Sequence, residues 1–267
     1  MSSSTKAMLS EQPLGAAPHS PKKLARIAGI FYLMVAIAGG FAQGVVDPRM
    51  YAAGDAAAST ANLVGNVGLV RLAVVAHLTD AVFFVLVAIT LYVLLKHAGK
   101  QAARLMVTAV VLAAGITAVS AVFTFVALQV ATDDSYQSAF GLGGSQALVL
   151  LLLQIEHYGI LAAQVFFGLW LAPLGYLAYR SGLFPKPLGI VLAVTTVSYL
   201  LDVVAAFLLP ELAGQVHGFL SLMPIVGEVW LLLYLLIIGV RSTRGGMRPA
   251  VDGRASQVTA EKSAARV

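Results

Sequence analysis

Eight residues in a chain dominated by apolar side chains have the types for ion or ligand chemistry: His77, Asp80, Glu156, His157, Gln164, Asp202, His217 and Glu228. All lie within or at the edge of long hydrophobic runs, where an ionisable group is costly unless it faces a bundle interior or a wet cavity. Their spacing groups them. At about 100° per residue, His77 and Asp80 sit one turn apart on one helix face, and His157, Gln164, Gly168 and Gly175 share another. Thr195, Ser198 and Asp202 share a third face, and His217, Ser221, Pro224 and Glu228 align on a fourth helix. Polar stripes concentrated on the outer, non-cytoplasmic half of four helices imply one shared cluster, open outward and suited to a small polar ligand, a cation or a proton. Pro173 and Pro224 are expected to kink their helices and free carbonyls at that depth, while Gly168 and Gly175 admit a close neighbour. A structural reading stands beside this one, because acid–imidazole pairs also fasten helices together with no ligand present.

Other chemistries fit less well. Zinc needs about three His or carboxylate donors converging on the ion, and His77, Asp80, His157, His217, Asp202 and Glu228 could supply them. The chain has no His-Glu-x-x-His, so the metal is left unassigned and no cofactor is expected. No Gly-x-Ser-x-Gly accompanies any serine, Gly141-Leu-Gly-Gly lacks the lysine and spacing of a phosphate loop, and cysteine is absent. Gly40-Phe-Ala-Gln-Gly44 reads as a close contact between helices.

The elements that must position these residues follow from composition. Of 267 residues, 59% are hydrophobic and 11% charged, against roughly 25% charged in soluble domains; mean hydropathy is +0.88. The fold class is an all-α polytopic transmembrane bundle, with the lipid bilayer as solvent. Six runs are long enough to cross at about 20 residues each: 26–46, 71–95, 105–130, 150–179, 187–209 and 217–240, together a membrane domain over 26–240. The tails, 1–25 and a basic 241–267, are rich in Ser, Ala, Pro and charge and are expected to be disordered and cytoplasmic. The segment 56–70 carries Leu63, Val64, Val67 and Val70, and reads either as an interfacial helix over the cavity mouth or as an ordered cap on the bundle.

Charge sets the orientation. Of the 17 Lys and Arg residues, all but Arg49 and Arg71 fall on one side of this scheme, so both termini are expected in the cytoplasm. The net charge of +5 belongs to the flanks of apolar segments and forms no basic stripe interleaved with aromatics, which argues against a nucleic-acid partner. Lys22, Lys23 and Arg26 precede an apolar run containing Ala36-Ile37-Ala38, a signal-peptide pattern. The run continues through Phe41 to Val46, long enough to span, so it is expected to be retained.

One tract is familiar. "FFGLWLAPLGYLAYRSGLFPKPLGIVLAV" (166–194), with "YLLDVVAAFL" (199–208) and "RIAGIFYLMVAIAGGF" (26–41), resembles the bacterial membrane-protein family catalogued as domain of unknown function 4386. The resemblance covers about 24–240 and implies six helices in a bacterial inner membrane; it brings no reaction, ligand or catalytic residue. Physically, the tract makes a tight cytoplasmic hairpin. Arg180 and Lys186 stand at the headgroups, Tyr176 and Tyr179 in the interfacial belt, Gly182 in a left-handed cap, and Pro187 in the first turn of the next helix.

Three functional readings remain. The first is an integral membrane protein that binds or transports a small polar ligand, cation or proton through the buried acids and histidines. The second is a non-catalytic sensor or accessory subunit acting through protein partners. The third, a metal-dependent intramembrane hydrolase, stands behind both, and no catalytic residue is assigned. A pocket lined by unpaired acids favours the first; complete pairing with no pocket favours the second.

Overall fold

The computed structural model describes residues 20–241; the rest of the two expected tails lies outside them. Among the described residues there is no strand, and six helical segments are long and apolar enough to cross a membrane. The first combines α1 (Pro21–Phe41), a π-helical turn (Ala42–Val46) and α2 (Asp47–Met50). It begins before the expected boundary at 26, because Pro21 occupies a first-turn position, where its missing N–H breaks no hydrogen bond. A short α3 (Ala56–Gly65) follows, capped by Asp55, whose carboxylate accepts from the Ala58 N–H at 2.9 Å. The next spans are α4 (Val67–Leu95), α5 (Lys100–Thr132), α6 (Asp134–Ser181) and α7 (Lys186–Leu208). The sixth is α8 (Pro210–Leu220), α9 (Leu222–Leu233) and a second π-helical turn (Tyr234–Ile238).

The expected outer loop at 131–149 is mostly helix instead, belonging to α6. That helix is interrupted at Gly141, at φ 73 and ψ 167, a conformation essentially reserved for glycine. Asp133 caps its start and accepts from the Ser135 N–H at 2.9 Å, and Ser135, through its hydroxyl and then its N–H, holds the Asp133 carboxyl below the usual range. The hairpin between α6 and α7 forms as its residues dictate. Gly182 takes φ 70 at the end of α6, Pro187 lies in the first turn of α7, and Lys186 sits 5.3 Å over the Tyr179 ring.

Each span packs on the next in sequence, and the sixth closes on the first. Gly29 makes that closure close: a Cβ there would lie 2.9 Å from the Leu236 backbone nitrogen. Small and hydroxyl side chains face inward and branched aliphatics outward. On α5, Ala109, Ala113, Thr117, Ser120 and Thr124 are buried while Leu105, Val111, Val119 and Val122 are exposed. In a bilayer this is the stable arrangement, since lipid solvates the aliphatics and tight backbone contact supplies the attraction.

The dry core is in two parts. One gathers Tyr32, Phe84, Leu91, Trp170 and Leu174 with residues near the α6–α7 hairpin; the other gathers Val46, Leu63, Val70, Leu128 and Leu153 at the opposite end. On both α4 and α6 the buried ionisable residues fall between the two cores, His77 and Asp80 on one helix and Glu156 on the other. Leu63 buries α3 into the second core, against α5 and α6. The segment 56–70 thus caps the bundle, and none of its residues lines the cavity described next.

Candidate functional site

Between the cores a cavity of about 450 Å³ opens among α1, α4, α6, α7, α8 and α9. Its polar lining comes from Gln43, Asp80, Gln164, Ser198, Asp202, His217, Ser221 and Glu228, and its walls include the rings of Tyr32, Phe84, Phe167, Trp170 and Tyr199. Among the described residues, no Lys or Arg lines it.

Glu228 is the best-held acid. The Tyr32 hydroxyl donates to its Oε2 at 2.6 Å and the Tyr199 hydroxyl to its Oε1 at 2.7 Å, one donor per oxygen from α1 and α7. Asp202 lies 3.0 Å from His217 Nδ1 through both carboxylate oxygens. The side chain of His217 is 62% exposed, so this pair marks the open end. Asp80 and Gln164 are different. Asp80 is 4% exposed and makes no hydrogen bond to a described residue, and the Gln164 Oε1 is buried without a partner. Asp80 also leaves no room across from it, since a Cβ on Gly39 would lie 2.9 Å from its Oδ1.

Local sequence explains the inward faces of α7 and α9. Pro224 has no N–H to offer the Leu220 carbonyl four residues back; Ser198 donates to that freed carbonyl at 2.8 Å. One turn earlier on α7, Thr195 donates to the Met223 carbonyl at 3.2 Å, directly against Gly227. Pro224 itself stands in the first turn of α9, so the break falls before it, at Ser221. Gly168 and Gly175 do admit a neighbour: a Cβ on Gly175 would lie 2.7 Å from the Gly189 carbonyl of α7. Gly40 and Gly44 do not make the contact their spacing suggested. Nothing lies within 4 Å of a Cβ at either, and both border the cavity, while the adjacent Gly39 carries the close approach.

The expected single cluster divides in two. Asp80, Gln164, Asp202, His217 and Glu228 share the cavity, whereas His77 and Glu156 do not line it. His77, fully buried, places Nε2 3.0 Å from Asp47 Oδ2, with the Glu156 carboxylate beside them; one donor atom from each lies within 4.8 Å of the other two. The expected zinc donors are not brought together: among the described residues this is the group of three within such reach, and Asp80, His157, Asp202, His217 and Glu228 are not in it. Glu156 and His157, neighbours in sequence, point about 100° apart around the helix. Glu156 is buried, while His157 is exposed and stacks 5.1 Å from the Tyr51 ring.

Three residues escaped the sequence reading. Tyr32 and Tyr199 are not singled out by charge or spacing, although Tyr199 follows Ser198 on the polar side of α7. Asp47 falls one residue past the first expected span, 26–46, and so among the connecting residues. The π-helical turn before it, in which the Asp47 N–H bonds to the Ala42 carbonyl, carries it inward toward α4. Pro48 favours that widening, because a regular helix would set its ring against the Gly44 carbonyl. The Asp-Pro pair at the end of an apolar run was the available signal.

Fold and site together define a multi-pass helical membrane protein with an acid-lined internal cavity. The chain belongs to the family described as Domain of unknown function (DUF4386), whose model matches residues 27–239. No curated protein and no solved structure matches it.

Proposed function

We propose that this protein binds a small organic cation in the cavity between its two cores, as a membrane-embedded binding protein or carrier. One observation carries the reading: three carboxylates, Asp80, Asp202 and Glu228, and five aromatic rings line a cavity of about 450 Å³ with no Lys or Arg among them. The volume suits a small ligand. Aromatic faces and carboxylates both attract a cation, and neither attracts an anion. Asp80, which makes no hydrogen bond to a described residue, and the unpartnered Gln164 Oε1 are available to meet it. The charge asymmetry of the loops supports an orientation with both ends in the cytoplasm, which turns the His217 end of the cavity outward, and membership of the family fits a bacterial inner membrane.

The test is calorimetric titration of the detergent-solubilised full chain with alkylammonium ions, from methylammonium to tetraethylammonium, and with neutral alcohols of matched size. Cations should bind and the alcohols should not, and Asp80→Asn should weaken cation binding about tenfold or more, as loss of a desolvated charge partner implies. Equal binding of alcohols, or none by any cation, would sink the proposal and favour an accessory subunit that acts through partners.

A further inference from the structure

We infer that Asp47, His77 and Glu156 form a divalent-metal site, with zinc the best-matched ion, separate from the cavity and independent of the cation reading. The donors come from three different elements: Asp47 opens α2, His77 lies in α4 and Glu156 in α6. One imidazole nitrogen and two carboxylate oxygens are a donor set for a borderline ion. Tetrahedral zinc with bonds of about 2.0–2.2 Å sets neighbouring donors roughly 3.3 Å apart. Here the His77 and Asp47 atoms are 3.0 Å apart, and all three donors lie within 4.8 Å of one another.

A second observation points to a cation as the ligand. Glu156 is 4% exposed, lies within that donor group, and accepts no hydrogen bond from any described residue. Buried carboxylates are ordinarily hydrogen-bonded, paired with a cation or bound to metal. Asp47 has only His77 as its ion-pair partner, and no Lys or Arg of the described residues pairs with either acid. Two carboxylates and a neutral imidazole carry the formal charge that one divalent ion cancels. Such an ion would tie the end of the first span to α4 and α6 beside the core around Leu63 and Leu153, where α4 and α6 otherwise barely touch. Three protein donors leave one coordination position for water.

The probes are Zn²⁺ and Co²⁺ alone, added to the untagged full chain after chelator treatment in detergent. The wild type should retain one zinc per chain through gel filtration, melt at a higher temperature with zinc than with chelator, and show the visible absorption of four-coordinate Co²⁺. Glu156→Gln and Asp47→Asn should each weaken zinc binding by more than about a hundredfold, beyond the 10–100-fold typical of losing an outer-shell partner. Asp133→Asn, at an exposed helix cap, should bind as the wild type does. If His77→Gln fails to fold, the two carboxylate variants still decide. Zinc retention no higher in the wild type than in the Asp47→Asn/Glu156→Gln double variant overturns the inference, as does undiminished binding by both single variants.

Discussion

Removing the two hydroxyls that hold Glu228 tests the centre of the cavity without changing its shape. Tyr32→Phe and Tyr199→Phe keep their rings in place, Tyr32 edge-on to Trp170 at 5.8 Å, and delete one donor each. Each hydroxyl serves a different carboxylate oxygen, at 2.6 and 2.7 Å. Neither variant leaves the other donor free to compensate. A side-chain hydrogen bond contributes about 1 kcal/mol, and up to about 3 kcal/mol where the acceptor is ionised, so each variant should lose about 1–3 kcal/mol. For a chain of this size 1 kcal/mol moves the melting temperature by roughly 2–4 °C, giving a drop of at least about 2–4 °C per variant. Glu228→Gln completes the cycle. A carboxamide presents one acceptor where the carboxylate presents two, so in that background the two Tyr→Phe changes should together cost less, with a coupling of about 1 kcal/mol or more. The assay is thermal unfolding in detergent for all eight combinations. If Tyr32→Phe and Tyr199→Phe cost the same with Glu228 as with Gln at that position, the tyrosines do not hold the acid and the reasoning fails.

Two further outcomes are expected. Gly175→Ala should destabilise by about 1–3 kcal/mol, since its Cβ would meet the Gly189 carbonyl at 2.7 Å, whereas Gly40→Ala, with nothing within 4 Å, should be nearly neutral; parallel melts check both, and equal losses would refute the close packing of α6 on α7. Reporter fusions after Lys100, after Lys186 and at the C-terminus should read cytoplasmic and those near Asp134 and Glu211 periplasmic; a periplasmic C-terminus would refute the orientation.

The sequence by itself determined the solvent, the six spans and much of each helix's inner face. These follow from local rules: an apolar run of sufficient length must hydrogen-bond its own backbone in lipid, Gly182 and Pro187 act within a turn of their own positions, and a fixed rotation per residue places Thr195, Ser198 and Asp202 on one side of α7. Helical phase fixes direction about a helix's own axis. It does not say which neighbour lies there. Only the tertiary structure decided that His77 meets Asp47 while Asp80, one turn away, meets the cavity, because the two residues sit at the boundary between different pairs of spans. It also decided that Glu228 is held by hydroxyls from α1 and α7, contacts spanning 196 and 29 residues of sequence. The helix ends were legible only approximately, since Pro21 extends α1 and Gly141 interrupts α6 without a change in hydrophobicity to announce either. Asp47 shows the limit most sharply. One π-helical turn shifts the phase of everything after it, and that shift turns an acid at the end of an apolar run into a buried partner of α4 and α6.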